Sequence, residues 1–572
     1  MDYIDGEVPQ VLSIIETAGL PHPSGELLSS FVTEALNPSS TARFVLETCR
    51  AGGSHDKRAL LSSLVDDWTY IVESISQRGR PPPAPGPDVR QQIISRDGGR
   101  CCITGKPGRI WDPLVVQPIL PIPSGWIEQN SPRIFDMLTA FFGPGYRDWW
   151  LSYAREAFEY THFSFNSHWL VRKSAASAFS RGLVKLDRCQ PSMIEYTICH
   201  IPIGPEQPIR INGEHPLLGD HSREGITTVD PRFLGTHARL ARSIQFVELA
   251  RKFAREKASS PSQPVGPETA HRPKIDSPGI SPLSTSFTQL LVTTLLSVWL
   301  LVPERVRLLA YRILRLAARR LYEPDTHAVQ KLPFGLYLKS AGILDSLRNE
   351  HNAMNCVRRY TSIPVPKPLD FVTKPGHGES PDEGYLLMSQ IPGVPLWRCC
   401  DVLSDKDVAQ ITGQMQEYIA QMRAIPRTIS PENAICNTLG NALRDHHIGV
   451  AGADVPVGPF VDEAAFNQVL RYPEDPGRKG HRVFFTHADL NPRNIMVNEV
   501  VQENGASGWR VSGIVDWETA GYYPEYWEYT KALYEEFRWS KRYVNMIHGV
   551  FKTFGDYSKE YDVEKRDREA GL

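Results

Sequence analysis

The alternation of apolar and polar residues near the C-terminal end of the chain predicts a strand, a polar loop and a β-hairpin. The apolar run VFF at 483–485 is followed by the polar loop HADLNPRN at 487–494. Two runs with strand alternation then flank a turn rich in Gly and Asn, which is typical of a hairpin over 495–516. Pairing of its two strands brings Asn494, before the first strand, close to Asp516, at the end of the second.

This arrangement of oxygen-bearing side chains suits phosphoryl transfer. A carboxamide at Asn494 and a carboxylate at Asp516 are ligands for Mg²⁺, a hard cation that leaves its other positions to water and phosphate oxygens. Asp489 projects from the same loop, where it can accept the proton of a substrate hydroxyl. We therefore interpret H-x-D-x-x-x-x-N followed by a strand ending in Asp as a kinase arrangement. The alternative is a polar hairpin whose Asp and Asn only cap turns.

A lysine and a glutamate upstream complete the expected nucleotide site. The segment LPFGLYLK at 332–339 has the pattern of a strand that ends in Lys339, whose ammonium group can reach the α- and β-phosphates of ATP. Glu350 follows in the helix-patterned segment 344–354 and is placed to pair with Lys339. An ordinary surface helix is the alternative for Glu350 alone, but the neighbouring motifs favour the ion pair.

Four segments resemble the aminoglycoside phosphotransferase and choline kinase-like enzymes, especially their fungal branch: LPFGLYLK, TSIPVPKPLD, HADLNPRNI and VDWETAGYYPEYWEY. The resemblance covers residues 326–545 and implies a bilobal protein-kinase-like fold that uses ATP and Mg²⁺. The residues to which it assigns roles are Asp489 and His487 in catalysis, Asn494 and Asp516 on the metal, Lys339 and Glu350 on the nucleotide, and Met388, Ser389 and Ile391 near the adenine. His487 is expected to brace the loop, and the adenine contacts are expected from backbone groups.

Two departures from protein kinases refine the expected function. Ala488 stands where an arginine would read a phosphorylated activation loop, and few residues separate Asp516 from the helical segment that begins near residue 526. These features favour a hydroxyl of a small molecule as acceptor, with residues 437–475 contributing to its pocket. No glycine-rich run precedes Lys339, since Gly335 stands alone. A pseudokinase that acts as a scaffold is therefore the alternative function.

Composition and linkers divide the 572 residues into several parts. The net charge of −2 and pI near 6.8 do not indicate a nucleic-acid partner. Nine cysteines without a C-x-x-C motif, and an N-terminus without a signal-peptide pattern, indicate a cytoplasmic protein with reduced thiols. The expected parts are a helical segment (1–80), a Pro-rich linker (81–87), a middle domain (88–257), a disordered linker (258–286), apolar and amphipathic helices (287–325) and the kinase-like domain (326–572). The fold class expected for the whole is α+β.

The middle domain resembles a degenerate HNH nuclease. The segment RDGGRCCITGK at 96–106 is similar to the opening of fungal HNH-type domains. Gln117 stands where that family has its catalytic histidine, and Ser180 replaces an aspartate. Ala175 and Ala176 occupy the position of a metal-binding histidine, and His162 and His168 are wrongly spaced to replace it. Because a ββα-metal nuclease needs these groups, we expect a scaffold without catalysis. A nuclease acting on DNA is the less favoured alternative.

The most hydrophobic window of the chain, residues 287–302, is too short to span a bilayer and contains polar residues. An amphipathic helix follows, with Val306, Leu309, Ile313 and Leu316 on one face and several arginines on another. The favoured interpretation is a buried helix followed by a helix that packs on the kinase domain with its arginines in solvent. Membrane association through 287–302 is the alternative.

Overall fold

The chain forms two compact units in a computed structural model, and each combines helices with strands, which confirms the predicted α+β composition. We call Met1–Pro261 the N-terminal unit and Ser262–Leu572 the C-terminal unit. All nine cysteines are free thiols. The residues that the structure describes are 6–51, 56–122, 132–156, 163–189, 195–206, 209–211, 215–259, 296–322, 328–376, 382–429, 431–445, 448, 455–501 and 507–571.

The N-terminal unit is mainly helical, with two short antiparallel strand pairs, formed by its first and second strands and by its third and fourth strands. Its elements are α1 (Glu7–Thr17), α2 (Ser24–Thr33), α3 (Pro38–Ala51), α4 (Lys57–Ser76), α5 (Pro87–Arg96), β1 (Leu114–Pro118), α6 (Pro132–Phe142), α7 (Pro144–Glu156), α8 (Phe163–Ser167), β2 (His168–Arg172), α9 (Lys173–Ser180), β3 (Val184–Arg188), β4 (Tyr196–His200) and α10 (Pro231–Ser259).

The long helix α10 joins the first helices of the chain to the rest of the N-terminal unit. The Ser243 hydroxyl on α10 lies 2.7 Å from the Ser30 hydroxyl on α2 and accepts a hydrogen bond of 3.1 Å from the Trp68 indole N–H on α4. All three side chains are buried. Because buried polar groups need partners, these bonds fix how α10 packs on α2 and α4.

The Arg96-Asp97 pair, which opens the HNH-like segment, has a structural role. The Arg96 guanidinium is fully buried, lies 2.7 Å from the Asp97 carboxylate and donates to the His168 carbonyl oxygen at 2.8 Å. Asp97 in turn accepts a bond of 2.8 Å from the Leu170 N–H. A buried charge must be paired and hydrogen-bonded, so these two residues hold the end of α5 against strand β2.

The C-terminal unit contains three small sheets, with strand orders β5-β6-β8-β7, β13-β12-β9 and β10-β14-β11. Its elements are α11 (Glu304–Leu321), β5 (Val329–Leu332), β6 (Leu336–Ala341), α12 (Leu344–Tyr360), β7 (Pro368–Lys374), β8 (Glu383–Ser389), β9 (Val394–Pro395), α13 (Asp405–Arg423), β10 (Cys436–Asn437), α14 (Glu463–Asn467), β11 (Val483–Thr486), β12 (Ile495–Val501), β13 (Ser507–Ile514), β14 (Gly521–Pro524), α15 (Trp527–Ala532), α16 (Lys541–Phe551) and α17 (Ser558–Gly571).

Side chains alternate between the two faces of the four-stranded sheet, and both faces are covered by a hydrophobic core. On β8, Leu386 and Met388 belong to the core that contains Leu347 of α12. Tyr385 and Leu387 belong to a second core on the other face, formed with α11. The hairpin predicted from the C-terminal pattern is present, since β12 and β13 pair antiparallel with Ile495 opposite Ile514.

Helix α11 packs on the sheet through a different face from the one that we expected. Its inner residues Leu308, Tyr311 and Ala318 are buried, whereas Val306, Leu309, Ile313 and Leu316 are exposed. The helix has two apolar stripes with helical spacing, and Tyr311 fixes the choice because its hydroxyl donates to Asp370 on β7 at 2.6 Å. Periodicity alone cannot distinguish between two such stripes.

The apolar window before α11 is not a buried helix where the structure describes it. Residues 296–300 are helical, but Val298 and Leu300 are exposed, and residues 287–295 lie outside the described part. No helix among the described residues is long and apolar enough to cross a membrane.

Candidate active site

The loop between β11 and β12 holds Asp489 with both carboxylate oxygens hydrogen-bonded. The Asn491 side-chain amide donates to Asp489 Oδ1 at 2.8 Å, and the Asn494 amide donates to Asp489 Oδ2 at 2.8 Å. Asn494 Nδ2 also bonds the Asp489 carbonyl oxygen at 2.8 Å, so Asn494 orients the whole residue. Since the Asn494 nitrogen is directed to Asp489, its amide oxygen is the atom that can serve a cation.

Burial raises the pKa of the Asp489 carboxyl group above that of a surface aspartate. Loss of solvent, together with the negative charge of nearby Asp516, raises the pKa of Asp489 from 3.8 to about 6. The amide donors of Asn491 and Asn494 oppose this shift by stabilising the charged form. A carboxylate with a pKa near 6 is ionised at pH 7 and is a stronger base than an ordinary aspartate.

His487 is a neutral structural residue of the same loop. Its ring is fully buried, with Nε2 3.0 Å from the Val515 carbonyl oxygen and Nδ1 accepting from the Asp489 N–H at 3.2 Å. Burial lowers the pKa of His487 to about 4. This pair of bonds ties the loop to the chain just before Asp516.

Three carboxylates surround the Lys339 ammonium group. Lys339 Nζ lies 2.8 Å from Glu350 Oε2, 2.6 Å from Asp516 Oδ1 and 2.9 Å from Glu518 Oε2. The contact predicted between Lys339 and Glu350 is therefore present. Lys339 lies on the inner strand β6, between β5 and β8, and is almost completely buried.

The charges of this cluster depend on one another. Burial alone would lower the pKa of Lys339, but the adjacent carboxylates, Glu350 foremost, raise it well above its ordinary value. Burial would raise the pKa of Asp516, yet the Lys339 charge leaves it below the ordinary value. Burial raises the pKa of Glu350 to about 7 despite Lys339. The cluster therefore keeps Lys339 positively charged, and the carboxylates around it carry more negative charge than one lysine balances.

The hairpin brings the backbone at Asn494 next to the residue before Asp516. The Val515 N–H donates to the Asn494 carbonyl oxygen at 3.0 Å, which places Asp516 beside the start of β12. Asp516 has a φ of +67°, a left-handed conformation that is uncommon outside glycine. Carboxylate oxygens of Glu350, Asp516 and Glu518 lie within 4.8 Å of one another.

The sequence analysis missed Glu518, although a signal for it exists. The signal is its position only two residues after Asp516, in the Asp-Trp-Glu segment. Its contact with Lys339 makes it the third carboxylate of the cluster.

Glu528 is a second missed residue, and it supports the loop from behind. Its carboxylate accepts the His487 N–H at 2.6 Å and the Ala488 N–H at 3.2 Å. Ala488 has a φ of +64°, so this support holds a residue in a sparsely populated conformation. Burial raises the pKa of Glu528 to about 7. The signal in the sequence was the acidic Glu528 among the aromatic residues of a helix-patterned segment.

We expect Glu528→Gln to destabilise the C-terminal unit by about 1–3 kcal/mol, because a carboxamide accepts one of the two backbone N–H groups and presents its own NH₂ to the other. Urea denaturation measures this loss. Glu432→Gln, at an exposed position, is the control and should leave the midpoint unchanged. Equal midpoints for both variants would show that Glu528 does not support the loop.

The expected adenine-binding segment lies at the end of β8. Met388 is buried, and the Ser389 N–H donates to the Lys367 carbonyl oxygen at 3.0 Å. That N–H is thus already bonded within the chain. Ile391 follows β8, and its side chain covers Gly513, where an added Cβ would lie 2.9 Å from an Ile391 methyl group.

A tight turn connects β5 and β6, where the sequence lacked a glycine-rich run. Phe334 and Gly335 have φ values of +63° and +69°, and the Phe334 side chain is 95% exposed. The Gln390 N–H donates to the Gly335 carbonyl oxygen at 2.8 Å, which fixes the turn against the end of β8.

The HNH-like positions of the N-terminal unit do not form a metal site in the described residues. Strands β1 and β2 pair with Gln117 opposite Trp169, and Gln117 and Ser180 line a cavity of about 240 Å³ together with His237. His168 is buried, and burial lowers its pKa to about 4. Ala175 and Ala176 are also buried, and His162 lies outside the described residues. The only described metal-compatible cluster is the one around Asp516.

One protein-family model matches part of the chain. Residues 325–558, less than half of the chain, match the phosphotransferase enzyme family model, APH. No curated protein matches the chain.

Solved structures of aminoglycoside phosphotransferases are similar at low identity. A thermostable mutant of APH(4)-Ia in its apo form has 14% identity and a TM-score of 0.26, covering 43% of this chain and 90% of that one. The GDP complex of aminoglycoside 2'-phosphotransferase-IIIa has 13% identity and a TM-score of 0.29, covering 45% and 87%. A ternary complex of APH(4)-Ia with AMP-PNP and hygromycin B has 12% identity and a TM-score of 0.28, covering 42% and 81%.

Proposed function

We propose that residues 326–572 transfer the γ-phosphoryl group of ATP to a hydroxyl group of a small molecule. The observation that carries this proposal is an oriented carboxylate, Asp489, close enough to Asp516 for their charges to interact, while Asp516 and Glu518 contact Lys339. Phosphoryl transfer needs little covalent chemistry from the protein, and its catalysis rests on positioning and charge stabilisation. The family match over 325–558 supports the same reaction class.

The donor set fits Mg²⁺. Asp516 and Glu518 present carboxylate oxygens close together, and Asn494 has an amide oxygen left after its nitrogen bonds Asp489. These are hard oxygen ligands of the kind that Mg²⁺ prefers, and Asn494 and Asp516 are the residues that we expect to hold it. When bound, the ion would neutralise charge on the phosphate oxygens.

Each remaining residue has a role in the proposed reaction. Asp489 accepts the proton of the acceptor hydroxyl as that oxygen attacks the γ-phosphorus atom, and ADP leaves. Lys339 offers its positive charge to the α- and β-phosphates, and Glu350 keeps it in place from α12. His487 and Glu528 hold the loop without touching the reacting atoms.

The activity should show an acidic limb near pH 6. Protonation of Asp489 removes the base, so we expect kcat/KM to fall about tenfold per pH unit below its pKa of about 6 and to level off above it. An ordinary aspartate would place this limb near pH 4. ADP release measured from pH 5 to 8 gives the profile. A limb near pH 4 would contradict the raised pKa of Asp489.

Binding of Mg-ATP tests the proposal without knowledge of the acceptor. A ligand at 100 times its Kd stabilises the native state by about 2.7 kcal/mol, so Mg-ATP should raise the melting temperature of the full-length protein. ADP release against a panel of hydroxylated metabolites then identifies the acceptor. Absence of both a thermal shift and turnover would contradict the phosphotransferase assignment.

A pseudokinase is the second candidate, and one specific observation favours it. The turn at Phe334 and Gly335 replaces a loop that could cover the phosphates, and three carboxylates already occupy Lys339. This candidate predicts a thermal shift with Mg-ATP but no ADP release for any acceptor.

The nine free thiols support the cytoplasmic location expected from the sequence.

A further inference from the structure

An exposed aliphatic ridge runs along the outer face of α11. We call Val306, Leu309, Ile313 and Leu316 the outer stripe; their side chains are 53%, 53%, 59% and 65% exposed. Their spacing of three, four and three residues places them on one side of the helix. Four large aliphatic side chains in a continuous exposed row are unusual on a soluble surface and mark an interaction site.

The outer stripe cannot turn inward, because α11 is anchored through its other faces. Tyr311 donates to Asp370 at 2.6 Å, and Arg307 also pairs with that carboxylate. The Thr373 N–H donates to the Glu304 carboxylate at 2.9 Å at the start of the helix. Leu308 and Ala318 are buried against the sheet. Rotating the helix to bury the outer stripe would therefore expose these packed side chains.

Arginines border the outer stripe on one side. Arg305, Arg312 and Arg319 recur every seven residues and are exposed, and Arg320 lies near the C-terminal end of the helix. Arg312 pairs with Glu383. The only acidic residue of α11 is Glu304, which bonds β7. The helix therefore presents an aliphatic ridge with a positively charged border.

We propose that the outer stripe docks the protein on the surface of an anionic lipid bilayer, with α11 lying in the plane of the interface. The helix has 18 residues, and the outer stripe forms a ridge about 15 Å long on it. Aliphatic side chains on one face and arginines at its border are the features of interfacial helices, which bind acyl chains and anionic headgroups together. Just before the helix, Val298 and Leu301 are also exposed, by 58% and 84%.

A protein partner fits these features less well than lipid. Protein interfaces are enriched in aromatic residues and in paired polar groups, whereas the outer stripe contains neither. A straight convex ridge bordered by positive charge instead matches a flat, negatively charged and apolar surface. This docking is independent of the phosphotransferase proposal, because it uses no residue of the candidate active site.

Vesicle flotation of the full-length protein tests the proposal. We expect the protein to float with vesicles of phosphatidylcholine containing about one third phosphatidylserine, and much less with phosphatidylcholine alone. Leu309→Glu with Ile313→Glu should abolish flotation. Arg305→Gln with Arg319→Gln should lower partitioning by roughly 20- to 30-fold, since each arginine near an anionic surface contributes about a fivefold factor. Arg312 is left unchanged because of its bond to Glu383.

Matched variants separate the outer stripe from general effects of charge. Val455→Glu with Val461→Glu changes two valines that are 61% and 62% exposed elsewhere in the C-terminal unit, and should leave flotation unchanged. Arg359→Gln with Arg510→Gln is the matched control for lost positive charge. Melting temperatures equal to wild type show that the α11 variants are folded.

The proposal is overturned if the wild-type protein does not float, or if the Leu309 and Ile313 variant floats as well as the valine control. It is also overturned if light scattering shows a dimer that these substitutions dissociate while vesicle binding is unaffected. In that case the outer stripe is an interface between copies of this chain.

Discussion

Asp489→Asn should lower kcat for ADP release by about 10²- to 10⁴-fold, because the carboxamide cannot accept the proton of the attacking hydroxyl. The substitution preserves the shape of the residue, but its single carbonyl oxygen replaces two acceptors, so the bond from either Asn491 or Asn494 is lost. Nucleotide affinity should change little, since Lys339 and Asp516 are intact. Steady-state kinetics with a saturating acceptor, together with ATP binding by calorimetry, separate these two effects.

The control for Asp489→Asn is Asp562→Asn, a change at an exposed position of α17, which should leave kcat unchanged. Undiminished turnover in Asp489→Asn would mean that another group accepts the proton, or that none needs to. Loss of ATP binding together with turnover would instead show that the loop itself had been disrupted. Protection of the Asp489→Asn variant by Mg-ATP in a thermal-shift assay distinguishes that outcome.

Local spacing explains why part of the candidate site is visible in the sequence. Asp489 and Asn494 share one loop, and the five-residue step between them is short enough for a direct bond of 2.8 Å. Lys339 and Glu350 are separated by a tight connection from β6 to α12, which restricts their relative positions. In both cases a few backbone elements determine the distance, so the residue pattern alone predicts which side chains meet.

Tertiary packing explains what the sequence did not reveal. Glu528 lies more than thirty residues beyond the loop that it supports, and its role depends on how α15 packs beneath His487 and Ala488. The orientation of α11 depends on the bond between Tyr311 and Asp370, a pairing across residues with no shared motif. Which of two apolar faces is buried, and whether a carboxylate is buried or exposed, depends on contacts with residues that are distant in the sequence.

Lys339→Met should both destabilise the C-terminal unit and remove most of the activity. Removing one partner of a buried ion pair costs about 3–5 kcal/mol, because the remaining charge stays buried without compensation. Here the carboxylate that stays buried is Glu350, whose side chain is 1% exposed, whereas those of Asp516 and Glu518 are 40% and 36% exposed. Lys374→Met, at an exposed position of β7, is the control and should unfold at the same urea concentration as wild type.

The response of the Lys339→Met variant to Mg²⁺ then tests whether this cluster is a cation site. Without the lysine, the three carboxylates repel one another, and a divalent cation can take its place in neutralising them. Mg²⁺ should therefore raise the melting temperature of Lys339→Met more than that of wild type, while kcat stays low because the phosphates lack their lysine. Lys339→Arg keeps the positive charge, so it should recover most of the stability and show the wild-type response to Mg²⁺. If wild type, Lys339→Met and the Lys374 control respond equally to Mg²⁺, the metal does not bind at Asp516 and Glu518. The buried ion pair would then stabilise the fold without belonging to a cation site.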